Sequence, residues 1–270
     1  MIELVLTGVG VLGPGLPDWT SAAPLLAALE PWSPTPTAVP APIRLPANER
    51  RRAGTVVKAA LAVADEAVAM AATDPTSLAT VFSSSTGDPL NCHQLCEALA
   101  TSERLVSPTR FTNSVHNAAA GCWHIATHSM MPSTSLAAFD ASFGAGLLEA
   151  AVQCVHAARP MLLVAVDVPY PEPLHALRPL TDCFALAFVV APAPPRGLTP
   201  APQPGLARLR IGPTDEPQTP CVAAAFEPLR RSIPAARALP LLERLAGGSA
   251  GRVVVEAADG WRLAVEIEPA

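Results

Sequence analysis

Two runs of almost pure aliphatic residues, Met161 to Val166 and Phe184 to Val190, constrain this chain more than any other feature. A strand that is apolar at every position has to be covered on both faces, which points to a sheet layered between helices. Further strands fit the same scheme. Thr80-Val81-Phe82-Ser83 is a short buried strand, and Leu136 to Phe139 is strand-like before the chain turns at Asp140 into a helix over 141–158. Residues 2–7 predict a first strand stopped by a tight turn at Gly8-Val9-Gly10. The clearest helix spans 47–72, with Asn48 as its cap and Val56, Ala60, Val63, Ala67 and Met70 as an apolar stripe. Helices are also expected at 90–100, at 113–128 and near 235–246. The proline-rich stretches 33–46 and 192–220 read as an extended loop and a linker or covering loop. A hairpin of 252–257 and 261–268 closes the chain around Asp259-Gly260. Strands alternating with helices make the fold α/β.

Composition removes several classes of function. With 50% hydrophobic and 15% charged residues in 270, the chain has the composition of a globular protein. Its formal charge is −5, Lys58 is its only lysine, and the one tight basic run, Arg50-Arg51-Arg52, reads as a solvated helix start, so no nucleic-acid partner is expected. The six cysteines form no disulfide-like frame, Glu3 stands where a signal peptide needs positive charge, and no run has the purity of a membrane span. A reduced, cytoplasmic protein is the expectation. The Gly8/Gly10/Gly13 spacing is not followed by a helix, because Pro14-Gly15-Leu16-Pro17 intervenes, so a dinucleotide loop is not expected. Cys92-His93 with Cys96 supplies half a metal site at best, whereas structural zinc takes four ligands, so neither metal nor cofactor is expected. His116, His124, His128 and His156 read as hydrogen-bonded structural residues.

The strand, sharp turn and helix over 134–150 form the arrangement in which many α/β enzymes hold a nucleophile. A side chain there faces the helix N-terminus, whose field stabilises an anion by about 0.3–1 kcal/mol and lowers the pKa of a cysteine thiol. This chain has Asp140 at the turn, and an aspartate is also a favoured N-cap worth about 1 kcal/mol.

Several segments resemble the β-ketoacyl synthases of the thiolase fold. Val5-Leu6-Thr7-Gly8-Val9-Gly10-Val11 is similar to that family's first strand, and Leu45 through Arg52 to its early helix. Ser107-Pro108, Asn117-Ala118-Ala119-Ala120-Gly121 and Pro132-Ser133-Thr134-Ser135 fall at the family's spacing before the active-site turn. The wording of Asn113 to Gly121 resembles short ketosynthase-like proteins of aryl polyene gene clusters, regarded as chain-length factors. The resemblance implies a thiolase-like layered α/β domain over 1–191. Residues 192–270 then form a proline-rich linker, a short helix and a terminal hairpin in place of the second lobe. A lobe without its twin is expected to leave an apolar surface for a partner.

Measured against that resemblance, the departures concern catalysis. A condensing enzyme places a cysteine where Asp140 stands and draws two histidines from its C-terminal half. Here no histidine follows His175, and no lysine follows Lys58. The resemblance therefore implies a non-catalytic subunit that pairs with an active β-ketoacyl synthase and meets the acyl carrier protein through that complex. Interface and chain-length candidates are His93, Leu95 and Cys96 on one helix and Arg110, Phe111 and His116 in the following segment. Two other readings stay open. One is a decarboxylase or thioesterase acting on acyl-carrier thioesters through Asp140, although an ionised carboxylate repels a malonyl group's own. The other is a homodimeric acyl-binding scaffold.

Overall fold

The computed structural model describes residues 1–85, 87–194 and 205–270. Eight strands join in one sheet: β1 (Ile2–Leu12), β2 (Ala79–Ser83), β3 (Ser133–Leu136), β4 (Met161–Asp167), β5 (Phe184–Pro192), β6 (Ala207–Thr214), β7 (Gly251–Ala258) and β8 (Trp261–Pro269). Their order is β3-β2-β4-β5-β1-β6-β8-β7. Strands β2, β3 and β4 run parallel, and every other neighbouring pair is antiparallel. The helices are α1 (Trp19–Leu26), α2 (Ala47–Arg52), α3 (Thr55–Met70), α4 (Pro89–Ala100), α5 (Pro108–Thr112), α6 (Ala118–Thr127), α7 (Ser142–Ala157), α8 (Leu174–Leu177), α9 (Glu227–Ser232) and α10 (Leu239–Ala246).

The aliphatic strands are covered on both sides. Alternate residues of β4 and β5 face opposite ways, as strand geometry requires. Leu163, Ala165, Leu186 and Phe188 join the core around α7, whereas Leu162, Val164, Ala185 and Ala187 join the core around α3 and α6. Burying a Leu or Phe side chain stabilises the fold by roughly 1.5–3 kcal/mol, so these two layers carry most of the cohesion.

Local readings change where packing overrides them. Strand β1 runs through Gly8 and Gly10 to Leu12, with a register shift between Leu6 and Gly8, and the turn comes later, where Gly13 bridges Leu16. A Cβ on Gly8 or Gly10 would lie 2.1 Å from the Ala67 or Val63 carbonyl oxygen, so those glycines let α3 rest on β1. The helix expected over 47–72 is two helices. Gly54 between them is extended, with the Asp88 carboxylate filling the place of its missing Cβ, and Asn48 lies inside α2, accepting from Arg51 instead of capping. Helix α6 begins at Ala118, after a turn where 113–117 was expected to be helical.

The largest difference lies after residue 191. Residues 195–204 fall outside the described residues, but the stretch expected to be a loop contains β6, in which Ala207, Leu209 and Ile211 are buried between outward Arg208 and Arg210. The expected hairpin extends the same sheet and curls over α7. A Cβ on Gly144 would lie 2.0 Å from the Glu256 carbonyl oxygen, so α7 and β7 touch backbone to backbone. Leu229, Ile233, Leu239, Leu242, Val253 and Val255 complete the α7 core. The chain thus covers the outer face of α7 with its own C-terminal segment. The outer edge of β7 is bonded at its middle, where Thr219 N–H donates to the Val254 carbonyl (3.0 Å) and Val254 N–H to Thr219 Oγ1 (2.8 Å).

Candidate functional site

The chain leaves β3 and enters α7 through a single 3-10 turn, Phe139–Ala141. Phe139 has φ +51°, a left-handed conformation that costs an ordinary residue on the order of 1–3 kcal/mol and persists only where its surroundings impose it. Ser142 Oγ supplies part of that imposition, accepting from Ala138 N–H (3.0 Å) and donating to the Phe139 carbonyl (2.7 Å). The helix has no side-chain cap, so Asp140 does not play the expected capping role. Its carboxylate turns to two arginines instead. Oδ1 pairs with Arg178, and Oδ2 accepts from Arg237 at 3.2 Å. Arg178 also lies over the Phe139 ring, 3.7 Å from its centroid. Arg237 reaches Glu256 at 3.3 Å and Gln218 at 3.2 Å. The side chain that enters the core in the first turn of α7 is Phe143, fully buried and edge-on to Phe188.

Beneath the turn, the end of β4 carries a second acid. Asp167 is buried and accepts from Ser85 N–H (2.7 Å), Ala235 N–H (2.9 Å) and Ser84 Oγ (3.2 Å). Burial pushes its carboxyl up to about 7, against these hydrogen bonds and the charge of Arg178.

Of the other sequence-predicted residues, Leu95, Phe111, Arg110 and His116 line three clefts on α4, α5 and the segment leading to α6. Leu95 on α4 and Phe111 on α5 meet in an apolar groove of about 590 Å³ with Leu99, Val106, Pro108 and Ser114. Cys92 and Cys96 present exposed thiols on the outer side of α4, and His93 pairs with Glu97 (3.3 Å) on the same helix. Burial first and neighbouring Cys96 second raise the Cys92 pKa. Arg110 turns away from this groove and lines a basic cleft of about 510 Å³ together with Arg51, Arg52, Lys58 and Asp88. His116 lies in neither. It bonds the Ser84 carbonyl (3.2 Å) and lines a polar cleft of about 440 Å³ with Asn117, Gly121, His124, Ser133 and Ser135. The proposed set is thus spread over one face without converging on a reaction centre.

Sequence reasoning missed two groups. Arg178 and Arg237 lie 38 and 97 residues from Asp140, and no local pattern links them. The basic cleft was legible in part, since Arg51, Arg52 and Lys58 follow one another closely, but Arg110 joins them only through the fold. Among the described residues no three His, Cys, Asp or Glu side chains are grouped to hold a metal ion, and no helix is long and apolar enough to cross a membrane.

Residues 26–219 match the family model described as the N-terminal domain of β-ketoacyl synthase. No curated protein matches the sequence significantly. Among solved structures, a chain of the ketosynthase (ApeO) in complex with its chain length factor (ApeC) from Xenorhabdus doucetiae is similar at 22% identity and a TM-score of 0.72, covering 98% of this chain and 100% of that one. A chain of the AntDE:AntF assembly, a type II polyketide acyl-carrier protein in complex with its ketosynthase bound to the hexaketide, is similar at 12% identity and a TM-score of 0.77, over 100% and 99% of the two chains. A β-ketoacyl synthase from Burkholderia phymatum gives 12% identity and a TM-score of 0.63 over the full length of both. At these identities the likeness establishes the fold, a thiolase-like ketosynthase architecture.

Proposed function

The chain belongs to the β-ketoacyl synthase family through its N-terminal domain, and on that footing we propose that it is a non-catalytic chain-length-factor subunit, paired with an active ketosynthase in building a polyketide, aryl polyene or fatty-acid-like chain. One observation carries the reading. The face built by α4, α5, α6 and β3 exposes Leu90, Leu99, Leu105, Phe111, Val115, Ile125 and Met130, with Leu105 75% and Met130 96% exposed. Beside them β3 is the outermost strand of the sheet, paired on one side only. Exposed apolar side chains around an unpaired strand edge make a surface suited to burial against another protein.

The turn supports a silent partner better than a catalyst. Both oxygens of Asp140 are paired with arginines, which turns the carboxylate toward structural contacts. That geometry disfavours the decarboxylase and thioesterase readings. Leu95 and Phe111 are the residues we assign to the floor of the partner's acyl tunnel, because they line the apolar groove on the bare face. The basic cleft beside it, with Arg51, Arg52, Lys58 and Arg110 against the single carboxylate of Asp88, is assigned to the acyl carrier protein when it visits the pair.

Expression with and without a cysteine-bearing ketosynthase tests the pairing. The two chains are expected to elute as one species burying well over about 2,000 Å² in total, the range of permanent complexes. A monodisperse monomer that ignores the ketosynthase would overturn the reading. A self-dimer of the same kind would favour a homodimeric scaffold.

A further inference from the structure

The turn at 139–141 is joined to the C-terminal segment more elaborately than a connection between a strand and a helix requires. Phe139 is held in a left-handed conformation, and Arg178 both covers its ring and pairs with the next residue, Asp140. Arg237, contributed by the segment that covers α7, grips the other oxygen of the same carboxylate and also reaches Glu256 on β7. At that point the β7–β8 register shifts between Glu256 and Ala258, and the Glu256 carbonyl presses on Gly144 of α7. The Asp167 carboxylate takes the N–H of Ala235, two residues before Arg237. Three distant parts of the chain therefore converge on one carboxylate: the strained turn, the loop holding Arg178, and the C-terminal cover.

We propose that Asp140 is an ionic clasp whose work is to hold the C-terminal cover, residues 235–258, closed over the N-terminal end of α7. The acid at this turn is thereby explained by what it fastens. With the clasp undone, Arg237 is left with Glu256 and Gln218, and Arg178 with the Phe139 and Tyr170 rings. The inference does not depend on the function proposed above, since it concerns this chain alone.

Hydrogen exchange of the full chain reads the clasp directly. Asp140→Asn keeps the shape and removes the charge, and amides of 235–258 are expected to exchange at least about tenfold faster, with β2 and β4 within about twofold of the parent. Arg237→Gln should produce local loosening in the same segment, and the double variant should loosen by less than the sum of the two single effects, since the two residues share one pair. Adding 1 M sodium chloride to the parent should move it part of the way, because salt screens exposed pairs. If Asp140→Asn is insoluble, Asp140→Glu and Glu256→Gln carry the test, the first expected to retain most protection and the second to lose part of it. Unchanged exchange in 235–258, loosening spread evenly over the sheet, or additive effects of the two substitutions would each overturn the clasp.

Discussion

Two faces of the sheet are finished to different standards. Around α7 the chain supplies its own cover: β7 lies against the helix backbone, and Leu229, Ile233, Leu239 and Leu242 seal the core. Around α4 to α6 the sheet stops at β3, and apolar side chains from Leu90 to Met130 face outward. The same chain thus covers the core side of α7, with only Val152 and Val155 of that helix left exposed among its large apolar residues, and leaves the other surface open. The difference separates what the fold needs for its own stability from what it offers to another protein.

Two phenylalanines sharpen that contrast. Phe143 is fully buried under the C-terminal cover, and Phe143→Ala is expected to destabilise the isolated chain by about 3–5 kcal/mol in chemical denaturation. Phe111 is 68% exposed, and Phe111→Asp should leave the isolated chain within about 0.5 kcal/mol. In the complex it should cost about 2 kcal/mol or more of affinity, as a central interface residue does. Equal losses in the isolated chain would erase the distinction between the faces.

A smaller effect probes the closed side through pH. The Asp167 carboxyl is raised to about 7 in the folded chain, so between the unfolded value and 7 the folded state binds the extra proton. Its contribution is complete below the unfolded pKa and is lost as pH rises through 7. From pH 6 to 8 the parent should therefore lose about 1–1.5 kcal/mol that Asp167→Asn does not, at roughly 1.4 kcal/mol per unit. Parallel stability curves for the two proteins would show that Asp167 does not titrate in this range.

The smallest effect on stability belongs to the open side. Leu95→Trp fills the groove with Phe111, and it should leave folding within about 0.5 kcal/mol while shortening the products made with the partner. A fixed product distribution with an intact complex would place length control elsewhere.

Sequence legibility followed the same divide between local and distant causes. Strands β4 and β5 announced themselves because burial on both faces leaves only aliphatic residues. Strand β6 was hidden, although Ala207, Leu209 and Ile211 alternate with arginines, because the prolines around it read as a linker. The break at Gly54 lies against Asp88, and the fate of Asp140 depends on Arg178 and Arg237, all remote in sequence. The apolar groove was reachable, since Leu95 and Phe111 were named from the resemblance and do meet. Arg110 and His116, neighbours of Phe111 in sequence, face other clefts, because on a short helix and its following turn adjacent side chains point in different directions.

The unequal ends of the sheet have a consequence for stoichiometry. At one end Val254 of β7 is bonded to Thr219; at the other, among the described residues, β3 is paired on one side only. Strand-by-strand growth needs two adhesive ends, one to receive and one to pass on. The Thr219 bonds to Val254 make β7 a poorer docking edge than β3, so the expected contact through this sheet is a pair joined at β3 and not a growing stack of strands.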